Sequence, residues 1–433
     1  MNLNPATSMR KHKLRSLAVA GVVAVGVVAA IAQTAPAARA DSGSNTPLLA
    51  ATGSDTIQDV YNQFSADLGG STLNSFNAIN PTTGAAGDTL TYTDGFSGAH
   101  CSYPRPNGST QGLDALEASI GGAVGGGGVS PEPGLGCVDV ARSSAGPNAS
   151  GPASGGYTGS NAMQFVPFAL DAVTGAIGPA TGGTPFTAQS HDANGDTVAT
   201  STVATQLPAA VNSFSLQNLK DLFGSGIATT AGGTVFWPAN GSVAQPAGST
   251  KIDLYIPQLG SGTEKFWATT LGFNAATPPA WDHTTIVNGA LTPANDGGIT
   301  FTDEEHDGTN VATDPLGYAP FSIAQWIAQS NGQNDRRHGA VLENVNGVAP
   351  TTTSNGHTVL NSSFPITRLV YSVVSLARLT TNGDPLKALL NGPNSFVCQD
   401  TSTILNFGFA TLKGASTLNA TCGEIVPALE AAP

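Results

Sequence analysis

Charge is scarce in this chain: Asp, Glu, Lys and Arg together make up 10% of 433 residues, aromatics another 6%, with only four cysteines and three methionines. Each shortage excludes something. Sixteen basic residues against 29 acidic ones provide no positive surface for nucleic acid or for an anionic membrane. No two cysteines stand at Cys-x-x-Cys spacing, which argues against a structural zinc site. There is no Gly-x-x-x-x-Gly-Lys-Ser/Thr loop for nucleotide phosphates, no internal repeat and no coiled-coil heptad run. Glycine and proline are abundant instead, 53 and 28 residues. The chain therefore reads as rich in loops, and its 40% of hydrophobic residues is enough to build cores rather than remain disordered.

The N-terminus carries Arg10, Lys11, Lys13 and Arg15, then an apolar run from Leu17 to Ala32, then Ala38-Arg39-Ala40 ahead of Asp41. That is the pattern of a secretory signal peptide over 1–40, too short and wrongly flanked for a membrane span. No cysteine follows the run closely, so the expected product is secreted without a lipid anchor. Removing 1–40 leaves eleven basic residues against 29 acidic ones, a net charge of −18. Cys101, Cys137, Cys398 and Cys422 all lie in the exported part, where disulfides form. Three pairings are open. Proximity in sequence favours Cys101–Cys137 and Cys398–Cys422, each closing a loop worth roughly 3–4 kcal/mol in the chain-entropy model. A mature chain of roughly 390 residues exceeds one ordinary core, so two lobes are expected.

Short apolar runs alternate with helical patterns along the mature chain. After "LLAATGSD", residues Ile57, Val60, Tyr61, Phe64 and Leu68 recur at helical spacing, with Ser54 and Asp55 as caps. "NGSTQGLDALEASI" repeats the arrangement, and "CVDVARSS" reads as a buried strand ending in a polar turn. Residues 81–100 and 121–136 read as Gly-rich loops. "MQFVPFALDAV" is a continuous apolar strand, and 174–208 reads as a polar surface elaboration. "SFSLQNLKDLFGSG" predicts a helix capped by Ser215 and stopped by Gly224. "KIDLYIPQ" predicts one strand feeding the helix of "EKFWATTLG". "GYAPFSIAQWIAQSNG" predicts a strand and a helix, "SFPITRLVYSVV" a late buried strand, and "DPLKALLNG" and "CQDTSTILNFGFATL" closing helices. Such alternation implies α/β layers with largely parallel sheets.

Four polar turns, "TGSDTI", "NGST", "ARSS" and "GSGT", stand at helix starts or strand ends, where ligands of open α/β sheets sit. "PQLGSGTEKFW" is the most pointed of them. One reading is a plain N-cap, Ser261 or Thr263, with Gly for the turn. The other is an oxyanion site, in which backbone N–H groups converge at the positive end of a helix.

The ordered set "ATGSDTIQDVYNQF", "NGSTQGLDAL", "VDVARSS", "FVPFALDAVTG", "SLQNLKDLFGSG", "YIPQLGSGTEKFW", "GYAPFSIAQWIAQSNG" and "FPITRLVYSV" resembles the phosphate-binding proteins of phosphate ABC transporters, over roughly 50–380. The resemblance implies a two-lobed periplasmic-binding-protein-like fold of type II, each lobe a mostly parallel sheet flanked by helices. Lobe I would comprise 41–167 and 320–433, and lobe II 168–319, with "FVPFALD" and "GYAPFS" as the hinge crossings. It implies capture of phosphate or a related oxyanion, facing Thr56, Ile57, Ser109, Ser144, Ser261, Gly262 and Thr263, and an ABC permease as partner. The chain departs from that pattern twice. Gln258 stands where the family carries an Arg ahead of the turn, and Ser144 stands where it carries a proton-accepting Asp. Arg142, beside Ser143, is the candidate replacement cation, since a guanidinium offers an oxyanion a bidentate fork; the other reading is a surface Arg paired with a carboxylate.

Enzymatic chemistry finds little support. Ser261 is not in a Gly-x-Ser-x-Gly elbow, because position 259 is Leu. His100, His191, His283, His306, His338 and His357 show no zinc-ligand spacing and read as solvated loop residues. "DEEHDG" at 303–308 and "DANGD" at 192–196 do not complete a Ca²⁺ loop and read as solvated. No cofactor, no metal and no catalytic residue is expected, and the chain reads as a monomer. The alternatives are a secreted binding or adhesion module that keeps the fold without the anion, and, behind it, a secreted hydrolase.

Overall fold

The computed structural model describes residues 45–121, 130–147, 162–179, 213–236, 246–273, 284–287, 290–293, 302–314, 316–412 and 420–425, with Asp41 and Leu418. The signal-peptide reading of 1–40 and the "DANGD" run lie outside them. So do His191 and His283.

Among the described residues the main sheet has nine strands. Seven lie in the order Asp253–Leu254, Gly317–Ser322, Met163–Ile177, Thr367–Ser375, Val140–Ser143, Leu49–Gly53, Leu73–Ser75. Val341–Leu342 and Ala410–Thr411 also pair with Met163–Ile177. Its two ends are parallel: Leu49–Gly53 pairs with Leu73–Ser75 and with Val140–Ser143, and Asp253–Leu254 pairs with Gly317–Ser322. Ile256–Pro257 and Thr302–Asp303 form a separate parallel pair. The middle is antiparallel, because the 15-residue strand Met163–Ile177 runs through it against Thr367–Ser375 and Gly317–Ser322. Every residue of that strand is buried, which explains a continuous apolar run with no alternation. The α/β architecture thus consists of parallel strand groups flanked by helices and joined through long shared strands.

Helix Gln58–Asp67 buries Val60, Tyr61 and Phe64, the side chains whose spacing predicted it. Helix Leu216–Ser225 is capped by Ser215, whose hydroxyl accepts from the Asn218 N–H in a reciprocal capping box. It ends at Gly226 rather than Gly224, because Gly226 is the residue that adopts the left-handed backbone, with φ 78°. One core spans the sheet from Leu49 and Phe64 to Phe223 and Trp267. A second, around Tyr92, Tyr103, Leu116 and Phe165, is tied by Cys101–Cys137, with Cα atoms 5.6 Å apart. Cys398–Cys422, at 5.7 Å, closes the other expected loop.

Three expectations are corrected. Within the supposed loop 81–100, Thr89–Thr93 pairs with His100–Pro104 as a hairpin, with Leu90, Tyr92, Cys101 and Tyr103 inward and the intervening residues less buried. That period-2 alternation was the signal, masked by threonine. Residues 174–177 continue the buried strand rather than starting a surface loop. "KIDLYIPQ" divides into Thr250–Lys251, Asp253–Leu254 and Ile256–Pro257, which pair with three different strands.

Candidate oxyanion cradle

The "GSGT" turn delivers a helix, Gly262–Leu271, with Ser261 as N-cap. The Ser261 hydroxyl accepts from the Thr263 N–H at 3.0 Å and from the Glu264 N–H at 3.5 Å. The capping reading is therefore correct, and those two backbone donors are taken. The proton of the same hydroxyl points elsewhere, to the Glu305 carboxylate, 3.1 Å from each oxygen. Thr263 Oγ1 donates to Glu305 Oε1 at 2.7 Å, and Thr56 Oγ1 donates to it at 2.5 Å. Three hydroxyls from two helix starts thus hold one carboxylate, fully buried. Charge-assisted bonds of this kind are about twice as strong as neutral ones.

Around them the predicted turns close up. Thr56 Oγ1 also lies 3.3 Å from Ser144 Oγ, and Ser144 in turn contacts Ser54 Oγ at 3.2 Å and Ser109 Oγ at 3.4 Å. The Thr110 N–H donates to Gly260 O at 3.1 Å, joining the "NGST" and "GSGT" turns directly. Gly262 lies close under this group, since a Cβ there would stand 2.3 Å from Ser144 Oγ and 2.5 Å from Ser109 Oγ and would force both hydroxyls to turn away. The expected turns meet, and an acidic side chain of the chain itself occupies their centre.

The structure brings together Thr56, Ser109, Ser144, Ser261, Gly262 and Thr263. It does not bring Arg142. That guanidinium donates through Nε to Ser54 O, through one terminal nitrogen to Ala51 O and Ser75 Oγ, and through the other to Gly53 O and Phe76 O. It is neither at the surface nor paired with a carboxylate among the described residues, so both readings of it are corrected. Burial pulls its pKa down to about 10, which leaves it charged at neutral pH. The Ser143 hydroxyl turns back to Ala145 O, and Ile57 contributes its side chain to the core. The Gln258 amide donates to Asp55 Oδ2 at 3.3 Å and faces Asn107, at the rim rather than in the cradle.

The cation at the cradle is Arg368. It donates to Thr263 Oγ1 at 2.8 Å and grips Asp171 with two nitrogens at 3.0 and 2.8 Å. Asp171 also accepts from Ser322 Oγ and the Ala324 N–H. The signal for Arg368 was a lone charge inside the apolar run "FPITRLVYSV", since a charge in a buried strand is rarely left without a task.

The acidic run 303–308, expected to be solvated, is largely buried: Asp303, Glu305 and His306 are 2%, 0% and 2% exposed. His306 Nε2 lies 3.2 Å from Glu304 Oε2, and Nδ1 lies 3.8 Å from Asp55 Oδ2. Asp55 Oδ1 accepts from the Thr56 N–H at 2.8 Å. Burial, with the charges of Glu305 and Glu304, pushes the Asp55 carboxyl up to about 7. Burial draws the His306 imidazole down, but Glu304 and Asp55 outweigh it and hold the pKa above its ordinary value. Beside this group opens a cavity of about 550 Å³, lined among others by Asp55, Gln58, Asn77, Glu304, His306 and Arg336. Among the described residues no helix is long and apolar enough to cross a membrane.

No protein-family model matches the chain, and no curated protein matches it either. Among solved structures it is similar to a protein assigned as a phosphate ABC transporter substrate-binding protein from Clostridium perfringens, solved with bound phosphate. That match has 12% identity and a TM-score of 0.40, covering 84% of this chain and 99% of the other. It is similar also to a possible phosphate binding protein from Planctomyces limnophilus, with 13% identity and a TM-score of 0.33, covering 85% of this chain and 94% of the other. PstS from Borrelia burgdorferi matches with 11% identity and a TM-score of 0.36, covering 85% of this chain and all of the other.

Proposed function

We propose that this is a secreted solute-binding protein that captures phosphate, or a related oxyanion, between two lobes, 41–167 with 320–433 and 168–319, and hands it to an ABC permease as a monomer. The observation that carries the reading is the cradle: Thr56, Ser261 and Thr263 present hydroxyl protons to one point, with Arg368 behind Thr263, and a carboxylate already lies there. An oxyanion makes the same demand as that carboxylate, namely donors fixed in place before it arrives and shielded from water. Glu305 stands in for the ligand. Capture then requires Glu305 to yield its three hydroxyl bonds, and the ligand shifts an open–closed equilibrium by binding the closed form better. Nothing in this mechanism needs covalent chemistry or a cofactor.

Phosphate comes first because the ordered motifs resemble phosphate-binding proteins. A specific observation favours a second reading, a secreted binding module without the anion: the cradle is satisfied internally, and Gly262 lies against Ser144 and Ser109 with no room between them. Calorimetric titration of phosphate, with sulfate as competitor, separates the two when done on the wild-type chain and on Glu305→Ala. On the anion-capture reading Glu305→Ala binds phosphate at least about tenfold tighter than wild type, a gain of roughly 1.4 kcal/mol. Absence of phosphate and sulfate binding in both proteins would leave the second reading.

A further inference from the structure

We propose that Asp55, Glu305 and His306 form a binding site for a divalent transition-metal ion of the zinc class, on the wall between the cradle and the cavity. One donor atom from each residue lies within 4.8 Å of the others, and all three side chains are buried. Around a tetrahedral ion with bonds of about 2.1 Å, ligand atoms stand about 3.4 Å apart. Asp55 Oδ2 and His306 Nδ1, at 3.8 Å, are already near that separation, and small side-chain rotations bring in the third.

The independent indication is the imidazole. His306 Nε2 faces Glu304 Oε2 at 3.2 Å, which fixes the ring and places the Nε2 proton toward that carboxylate. Metal-bound histidines are oriented in this way by an outer carboxylate. Nδ1, on the opposite side, is buried and makes no hydrogen bond among the described residues. At 3.8 Å from Asp55 it is too far for one. An imidazole nitrogen and a carboxylate oxygen, facing each other at that distance without a bond, suit an ion between them. Glu305 also has capacity to spare: Oε1 takes three hydroxyls, whereas Oε2 accepts from Ser261 alone among the described contacts.

The donor set selects the ion. Ca²⁺ asks for six to eight oxygens and Mg²⁺ for a near-octahedral oxygen shell, whereas two carboxylate oxygens and one imidazole nitrogen suit Zn²⁺, Co²⁺ or Mn²⁺. Three protein ligands leave a coordination position open, and Asp55 and His306 both line the cavity, so that position faces it. The Arg336–Asp59 pair, 3.5 Å apart, stands on the same cavity wall, where solvent would supply the fourth ligand.

The test is a titration of the chelator-stripped chain with Zn²⁺, and with Co²⁺ followed by its visible absorption, in the absence of phosphate. One equivalent should bind, raise Tm with the logarithm of metal concentration and give Co²⁺ bands with an imidazole ligand. Ca²⁺ and Mg²⁺ should leave Tm unchanged. Asp55→Asn and His306→Gln should abolish the one-equivalent binding. Glu304→Gln, a positioning variant on a half-buried residue, should weaken it by about 10-fold or more. Lack of saturable binding by the wild type, or wild-type affinity retained in Asp55→Asn or Glu304→Gln, overturns the assignment. Phosphate plays no part in the readout, so the result stands apart from the proposed function.

Discussion

Two arginines lie on neighbouring strands: Arg142 sits opposite Ser372 in the register of Val140–Ser143 against Thr367–Ser375, the strand that carries Arg368. Both are buried. Arg142 commits its donors to four backbone carbonyls and Ser75, and so fastens the ends of Leu49–Gly53 and Leu73–Ser75. Arg368 divides its donors between Asp171 and Thr263. A buried guanidinium satisfied by carbonyls belongs to the architecture, since nothing it touches can be replaced by a ligand. One that leans on a hydroxyl in the cradle tunes what that hydroxyl can hold. The difference lies in the partners and not in burial or charge, which the two share.

The comparison breaks first at Arg142. Arg142→Met takes the guanidinium away from the carbonyls of Gly53, Ser54 and Phe76, while Ala51 O keeps the Phe76 N–H, and about 4–5 kcal/mol of stability should be lost in urea unfolding. The protein that remains folded should respond to phosphate as wild type does. A stable variant with altered anion response would return Arg142 to the site. Arg368→Met strands Asp171, a buried carboxylate, and should cost about 3–4 kcal/mol. Unlike Arg142→Met, it should also weaken phosphate binding by about tenfold in calorimetry, because Thr263 loses the donor that orients it.

A third buried charge sharpens the contrast. Glu343 is 4% exposed and its Oε2 has no hydrogen-bond partner; burial pushes its pKa from 4.5 up to about 7. Its folded pKa lies above the unfolded one, so the folded state holds the proton more tightly. That stability is complete below about pH 4.5 and is lost as pH rises through 7. Glu343→Gln should remove the loss, on the order of 3 kcal/mol. Unfolding midpoints of both proteins between pH 4.5 and 8 should diverge upward, and parallel curves would mean that Glu343 ionises freely.

Local patterns announced much of the fold. Val60, Tyr61 and Phe64 at helical spacing, Ser215 ahead of its helix, and the apolar run of Met163–Ile177 each state a period or a cap that a few residues enforce on their own. Cys101–Cys137 and Cys398–Cys422 were the pairing that short loops favoured among three, and it is the one the structure has. The hairpin Thr89–Thr93 with His100–Pro104 escaped because threonine blurs an alternation carried by four side chains. At the site, the four polar turns were legible as Ser/Thr/Gly clusters at helix starts and strand ends, and the resemblance singled out Thr56, Ser109, Ser144, Ser261 and Thr263 within them, side chains that the fold brings close together. Glu305 and His306 were not, since an acidic run in an acidic protein reads as solvated surface, and nothing in "DEEHDG" states what lies beside it.

Composition and order thus determined, without any coordinates, an α/β chain with a signal-like N-terminal pattern and a set of Ser/Thr/Gly turns at helix starts and strand ends, and they favoured two short disulfide loops among three pairings. Those features follow from short-range physics: periodicity, capping, loop closure and charge. Which side chain fills the cradle, which arginine serves it, and that His306 meets Asp55 were decided only by the tertiary fold. Each depends on groups separated by many residues, such as Glu305 and Thr56, 249 positions apart, whose encounter is fixed by how strands pair and helices pack around them.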